Sequence, residues 1–131
     1  MIVIDTSAVV AIYRQESERD FFAGVITNAE RRILPAHAYL EAMMVTSIEP
    51  SARAWIDAFV EQMRLATASI DGAVARLAAD AFFRYGKGRG HPARLNFADC
   101  LSYAVAKHLD APLLYKGDDF IHTDIESALP A

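Results

Sequence analysis

The residues of this chain that could do chemistry are carboxylates set beside apolar segments. Each follows an apolar run that reads as a buried strand, or lies in a helix whose neighbouring positions are apolar. Carboxylate oxygens that meet in one place bind hard divalent cations such as Mg²⁺ and Mn²⁺. The acids therefore predict a cation site if the fold brings them together. They are Asp5, Glu41, Asp99, Asp118 and Asp119.

Each acid also has an ordinary structural interpretation. Asp5 is a favoured helix N-cap, and Asp99 lies in the first turn of a helix, where the amide dipoles favour a negative charge. Glu41 interrupts an apolar helical face, which it could leave by extending to solvent or by pairing with Arg14. The aspartate pair 118–119 follows a glycine, as in many turns. Taken singly, these acids do not decide between structure and function.

The elements that must position these acids follow from the hydrophobic pattern. Apolar runs alternate with helical periodicity and no linker or repeat divides the chain, so we predict one α/β domain over residues 1–131. Its central sheet is expected to be mostly parallel, with about four to five strands and helices on both faces. Strands are predicted at 1–5, 32–35, 67–70 and 112–116, with an edge strand from 124. Helices are predicted at 7–14, 18–28, 37–47, 50–65, 71–85 and 96–108.

This arrangement gathers the acids at one edge of the sheet. In a parallel sheet the strand C-termini and the helix N-termini lie on the same side, which places Asp5, Asp99 and an aspartate after Lys116 together. Three carboxylates about 5 Å apart would repel by roughly 3 kcal/mol per pair at an effective dielectric of 20. A site that keeps them ionised therefore requires a cation. With oxygen ligands alone, Mg²⁺ or Mn²⁺ is favoured over Zn²⁺.

Composition narrows the class of protein. Of 131 residues, 53% are hydrophobic and 23% charged, which is enough to build a core, and no apolar stretch reaches the roughly 18 residues of a membrane span. We therefore expect a soluble, cytoplasmic protein without a membrane segment. The single cysteine, Cys100, lies in an apolar helix, which favours a packed thiol over a nucleophile.

A short basic segment stands out against the formal net charge of −4. Residues 84–94 contain three glycines and no acid, and they could hold a phosphate backbone while the rest of the surface stays acidic. A solvated surface loop is the alternative. The four cations of this segment are Arg84, Lys87, Arg89 and Arg94.

Together these segments resemble the PIN-domain ribonucleases, and most closely the VapC-type toxins of bacterial toxin–antitoxin pairs. The matching motifs span nearly the whole chain in the expected order. None is specific alone, but the four together are. They are Ile-Asp-Thr-Ser-Ala at 4–8, Tyr-Leu-Glu at 39–41, Leu-Asn-Phe-Ala-Asp-Cys at 95–100, and Leu-Leu-Tyr-Lys-Gly-Asp-Asp-Phe at 113–120 followed by Thr-Asp-Ile at 123–125.

The resemblance implies a PIN-like fold and an endoribonuclease that hydrolyses RNA phosphodiester bonds with Mg²⁺, or alternatively Mn²⁺. Its implied metal-binding and catalytic acids are Asp5, Glu41, Asp99 and Asp119, the last favoured over Asp118 because it directly precedes a phenylalanine. Thr6 or Ser7 would supply a supporting hydroxyl.

The resemblance also implies partners. These are an RNA substrate, held by Arg84, Lys87, Arg89 and Arg94, a cognate antitoxin and a second copy of the chain in a homodimer. No histidine is required as a base, and His37, one turn before Glu41, is the only histidine placed near the motifs.

Two other interpretations remain open at the level of sequence. A phosphate-accepting receiver or phosphohydrolase-like domain also has an aspartate after its first strand and a lysine after a late one, but it needs a phosphoacceptor, for which Asp71 is a poor candidate. A catalytically inactive PIN-like module that only binds a partner is the non-enzymatic alternative. Retention of all four acids argues against it, because an unused acidic cluster costs stability.

Overall fold

The computed structural model describes residues 1–130. These residues fold as four strands, six helices and a short 3₁₀ helix, Phe120–His122. The strands are β1 (Ile2–Ile4), β2 (Arg32–Pro35), β3 (Ala66–Ala68) and β4 (Leu113–Leu114). The helices are α1 (Thr6–Tyr13), α2 (Arg19–Asn28), α3 (Ala36–Val45), α4 (Ala52–Gln62), α5 (Gly72–Tyr85) and α6 (Phe97–His108).

All four strands pair in parallel in one sheet of order β3-β2-β1-β4. The central strand β1 pairs Val3 with Ile33 of β2 on one side and with Leu113 of β4 on the other. The parallel α/β prediction is therefore confirmed. All strands run the same way, so their carboxyl ends meet at one edge, where open α/β sheets place their ligands.

Helices cover both faces of the sheet, as the continuous apolar strands predict. Side chains alternate along a strand, so Val3 enters one core cluster while its neighbours Ile2 and Ile4 enter the other. The first cluster packs against α5 and α6, and the second packs against α1 to α4. The sheet thus holds α1, α3 and α6 in fixed places around its carboxyl edge.

Local capping signals set three helix starts, of which the first, Asp5 at α1, belongs to the site described below. Asp71 accepts a hydrogen bond from the Val74 amide at the start of α5, and Asn96 accepts one from the Asp99 amide at the start of α6. At α6 the Asp99 carboxylate accepts the Asn96 amide in return, which completes a capping box. Asp71 follows β3, an edge strand of the sheet, whereas a receiver needs its phosphoacceptor after a central strand, so the receiver alternative loses support.

Three predicted boundaries are wrong. Pro50 does not open α4, because the Ala52 amide bonds the Glu49 carbonyl and closes a separate turn around the proline. Strand β4 ends early, since the Lys116 amide donates to a side-chain hydroxyl on α1 rather than continuing the ladder. The tail adds a single bridge at Ser127 instead of an edge strand. Within residues 1–130 no helix has the length and apolarity needed to cross a membrane.

Candidate active site

Four carboxylates line one cavity of about 450 Å³ at the carboxyl edge of the sheet, of which Glu16 comes from the loop after α1 and the other three from separate elements. Asp5 comes from the end of β1, Glu41 from the middle of α3 and Asp99 from the first turn of α6. The sequence places them 36 and 58 residues apart, so only the fold brings them together. The parallel arrangement of β1 and the N-terminal position of Asp99 on α6 produce this convergence.

Asp5 is held firmly in place. It is 5% exposed, and its Oδ2 accepts hydrogen bonds from the Ser7 amide at 3.0 Å and the Ser7 hydroxyl at 2.6 Å. The Ser7 hydroxyl also accepts the Lys116 amide at 2.9 Å, which ties α1 to the segment after β4. Asp5 is therefore both a cap and a cavity residue. Its other oxygen, Oδ1, accepts no hydrogen bond from residues 1–130 and is available to a ligand.

The two predicted supporting hydroxyls do different things. Ser7 orients the Asp5 carboxylate directly, whereas the buried Thr6 hydroxyl donates to the Ala38 carbonyl at 3.4 Å and joins α1 to α3. Of the two hydroxyls, only that of Ser7 bonds one of the acids, Asp5.

Asp99 carries the clearest electrostatic signature of the site. Its carboxyl pKa is raised from 3.8 to about 7, mainly by burial and to a smaller extent by the nearby carboxylates of Asp5, Asp119 and Glu41. The hydrogen bond from the Asn96 amide opposes this by favouring the charged form. A carboxyl with a pKa near neutrality among three other acids is a group that a cation would ionise.

Glu41 is half-buried and faces the same cavity without a partner among residues 1–130. The predicted alternative of a pair with Arg14 is wrong. Arg14 instead pairs with Glu49, at 2.9 Å between Nη2 and Oε2. Glu49 follows α3 in a turn, and this turn brings it closer to the guanidinium than Glu41.

The fourth acid lies in an adjoining cavity of about 260 Å³, which Asp119 shares with Asp99, Lys87 and Arg94. Asp99 lines both cavities, so the two adjoin each other at this residue. Asp118 is exposed and lines neither. Of the two neighbouring aspartates, Asp119 is the one beside Asp99.

The donor set fits a hard divalent cation. The charged oxygen donors of the site are carboxylates, Asp5 offers its unbonded Oδ1 while Ser7 holds Oδ2, and mutual repulsion contributes to the raised pKa of Asp99. Among residues 1–130, no three acidic, histidine or cysteine side chains lie close enough to one another to coordinate a single ion without moving. Repulsion between carboxylates disfavours their close approach unless a cation lies between them.

His37 lies behind the acids rather than among them. Its Nε2 is 3.0 Å from the hydroxyl of the fully buried Ser102, which links α3 to α6, and its buried Nδ1 has no partner among residues 1–130. Burial lowers the pKa of His37, with the Asp5 carboxylate opposing. The contact between His37 and Ser102 ties together α3 and α6, the two helices that carry Glu41 and Asp99.

Sequence reasoning missed one cation at the acid cavity. Lys116 lines it, and its Nζ lies 3.2 Å from both Glu16 and Glu18. The signal was its place directly after a strand that ends at the ligand-binding edge. The two glutamates neutralise the ammonium and hold the loop after β4 against the loop between α1 and α2.

The structure divides the basic segment. Lys87 and Arg94 stand beside Asp99 in the second cavity, whereas Arg84 lies 3.8 Å from Asp124 and Arg89 lies over the ring of Phe83. Two of the four predicted RNA contacts therefore adjoin the acids and two lie further out.

Comparison with known proteins agrees with this geometry. The PIN domain family matches this chain over residues 2–126. Ribonuclease VapC28 of Mycobacterium tuberculosis is 41% identical over 130 residues, which cover 98% of each chain. Ribonuclease VapC42 of the same species is 38% identical over 97% of this chain and 98% of its own. Ribonuclease VapC of Mycolicibacterium smegmatis is 39% identical over 95% of this chain and 97% of its own.

Two solved structures share the fold at low identity. VapC20 of Mycobacterium tuberculosis, a toxin that cleaves the sarcin–ricin loop, superposes with a TM-score of 0.77 at 14% identity and covers 99% of this chain and 100% of its own. A toxin–antitoxin complex from Klebsiella pneumoniae gives 0.73 at 12% identity, covering 100% and 97%. With four acids at the carboxyl edge of a parallel sheet and full-length relatives above 30% identity, this chain belongs to the PIN-domain family and, within it, to the VapC ribonucleases.

Proposed function

We propose that this protein is an endoribonuclease and the toxin of a toxin–antitoxin pair. It hydrolyses RNA phosphodiester bonds, and its catalytic acids are Asp5, Glu41, Asp99 and Asp119. The convergence of Asp5, Glu41 and Asp99 on one cavity, with Asp119 in the adjoining one, carries the proposal. Family membership supplies the reaction class, since the relatives of similar length are ribonucleases.

The acids are proposed to hold Mg²⁺ or Mn²⁺. When bound, such an ion lowers the pKa of a coordinated water and screens charge that builds on the phosphate oxygens. Mg²⁺ demands small, hard oxygen ligands and keeps several waters, which suits a site with one fixed oxygen on Asp5 and three less constrained carboxylates. Mg²⁺ is the proposed ion and Mn²⁺ is the alternative.

The chain's own residues orient the reactants. Ser7 fixes the Asp5 carboxylate, and the capping box fixes one oxygen of Asp99 and leaves the other without a hydrogen bond from residues 1–130. Glu41 has no protein partner among residues 1–130 and is placed to accept a hydrogen bond from an attacking water. Lys87 and Arg94 lie where they can bind the phosphates on either side of the scissile bond, next to acids that would otherwise repel RNA.

The proposed partners follow from this class of enzyme. An antitoxin and an RNA substrate come from membership among the VapC ribonucleases, and a fold neighbour is itself a toxin–antitoxin complex. A homodimer and a cytoplasmic location are proposed with them. Single strands and loops are the favoured RNA because a site in a groove reaches exposed phosphates and unstacked bases.

The experiment is RNA cleavage by the purified protein with Mg²⁺ or Mn²⁺, compared with EDTA. Asp119→Asn is expected to lose at least about a hundredfold in rate because it removes a ligand charge without changing size. Asp118→Asn is the matched control and should retain wild-type activity, since Asp118 lines neither cavity. Equal activity of the two variants would contradict the site.

The same experiment separates the enzyme from a binding-only protein. An inactive module would bind no Mn²⁺ by titration and would leave RNA intact under every metal condition. Metal-dependent cleavage that EDTA abolishes excludes it.

A further inference from the structure

A groove of about 760 Å³ with mainly apolar walls lies between α5 and α6. We call it the aromatic groove, and its walls include Phe82, Phe83, Phe97 and Leu101. Its phenylalanines are 40%, 63% and 83% exposed, in chain order. Large aromatic side chains exposed on neighbouring helices form an apolar patch of the kind that binds a ligand. Their burial by the ligand would be favourable.

The aromatic groove adjoins the acid site. Lys87 and Asn96 line both this groove and the cavity that holds Asp99 and Asp119. Phe97 is the first residue of α6, two residues before Asp99. A ligand that places a phosphate group at the acid site therefore places the group bonded next to that phosphate at the aromatic groove.

The rim of the aromatic groove is positively charged. Lys87 stands at the wall shared with the acid cavity, and the Arg89 guanidinium lies 5.3 Å from the centre of the Phe83 ring. No acid occurs between Arg84 and Arg94. A groove with aromatic walls and a basic rim matches a ligand that joins flat apolar rings to a chain of anions.

Single-stranded nucleic acid has that chemistry, since its bases stack on aromatic side chains while its phosphates meet lysine and arginine. A second copy of this chain fits less well. In a two-fold contact the same surface meets itself, which would bring the basic rims of the two copies together. Charge complementarity thus favours RNA over a second copy.

We propose that the aromatic groove is a base-stacking subsite, in which Phe97 supports an unpaired nucleobase of the RNA next to the scissile phosphate. This inference rests on the proposed ribonuclease function and adds to it how the substrate is held. The walls of the subsite are mainly apolar, so it selects for an unstacked base rather than for one base identity.

The test measures binding of a fluorescein-labelled 12-nucleotide single-stranded RNA by anisotropy in Ca²⁺, with the RNA checked for integrity on a gel. Phe97→Ala is expected to weaken binding by about five- to a hundredfold, the usual range for one stacked base. Phe97 is exposed, so its replacement leaves the core intact. Ile48→Ala is the matched control, because Ile48 is 89% exposed and lines neither the aromatic groove nor the acid cavities.

Two further measurements identify stacking itself. In an RNA with a single abasic residue at the stacked position, wild type and Phe97→Ala should bind equally, since the missing base removes the contact from both. Phe97→Trp should retain wild-type affinity, and the introduced indole should lose fluorescence when RNA is added. Phe97→Leu, which keeps the apolar surface and removes the ring, should behave like the alanine variant.

Several results would overturn the inference. RNA affinity unchanged in Phe97→Ala, or a loss that no abasic position removes, would rule out stacking at this groove. A halved sedimenting mass of Phe97→Ala with unchanged RNA affinity would make the face a contact between copies.

Cleavage assays run in parallel separate the two levels. If the wild type cleaves RNA in a metal-dependent way and Phe97→Ala has unchanged RNA affinity, only the subsite is contradicted. Absence of cleavage by the wild type in every metal defeats the proposed function as well.

Discussion

Replacement of Asp99 by asparagine should make the metal-free protein more stable at pH 8, although it should destroy the cation site. The pKa of the Asp99 carboxyl is about 7 in the folded protein, against an ordinary aspartate value of 3.8. A difference of about three in pKa corresponds to about 4 kcal/mol. The carboxyl is only half-buried, so solvent screening reduces this to about 2 kcal/mol. Asparagine keeps an oxygen for the Asn96 amide, so the capping box survives.

The sign follows from the raised pKa. Well below pH 3.8 the carboxyl is protonated in both folded and unfolded chains, and it costs nothing. As the pH rises from about 4 to about 7 the unfolded chain ionises first, so the folded protein loses stability, and above pH 7 the full cost is present. Asp99→Asn lacks this cost. In EDTA its melting temperature should exceed that of the wild type by roughly 6 °C at pH 8 and by little at pH 4.

The assay is thermal unfolding of both proteins in EDTA and in Mn²⁺ across this pH range. Mn²⁺ at a hundred times its dissociation constant should stabilise the wild type by about 2.7 kcal/mol and leave the variant unchanged. A variant that is less stable than the wild type in EDTA at pH 8 would refute the reasoning. So would an advantage that does not shrink toward pH 4.

Three further predictions test separate parts of the site. Ser7→Ala should weaken Mn²⁺ binding by about tenfold in a calorimetric titration, because the Asp5 carboxylate loses its 2.6 Å hydrogen bond, and unchanged affinity would contradict this. Replacing Lys87 and Arg94 by glutamine should reduce the salt dependence of RNA binding by about 1.4 in log–log slope, whereas Arg84→Gln, whose side chain pairs elsewhere, should change it less. Burial raises the pKa of the Cys100 thiol to about 11, so iodoacetamide at pH 8 should label it only upon denaturation, and rapid labelling of the native protein would count against a packed thiol.

The parts of the fold that could be predicted from the sequence are those determined by residues close together in the chain. The apolar run before Asp5 identifies a central strand, and the pair Asn96 and Asp99 identifies the start of α6 because both members of a capping box lie within four residues. Since these signals also fix strand direction and helix polarity, they place the two acids at the same edge of the sheet.

The parts that sequence could not predict depend on distant contacts. Arg14 takes Glu49 rather than Glu41 because a turn after α3 brings Glu49 closer. Lys116 ends β4 because its amide meets the Ser7 hydroxyl, 109 residues earlier in the chain. Neither contact follows from spacing or propensity.

The exposure of Phe97 belongs to the same group. A phenylalanine at the start of a buried helix is expected to join the core, yet the turn set by Asn96 directs it outward beside Asp99. Whether an apolar residue faces the core or a groove is decided by the packing of α5 against α6, which no local pattern specifies.

The central claim is that the carboxylates at the sheet edge bind a divalent cation. Its most direct test is a crystal of the protein soaked in Mn²⁺, with anomalous scattering used to locate the ion. The claim predicts a peak at about 2 Å from an oxygen of Asp5 and an oxygen of Asp99, in the cavity that both residues line. An ordered site with no peak there, or Mn²⁺ bound only elsewhere on the molecule, would contradict it.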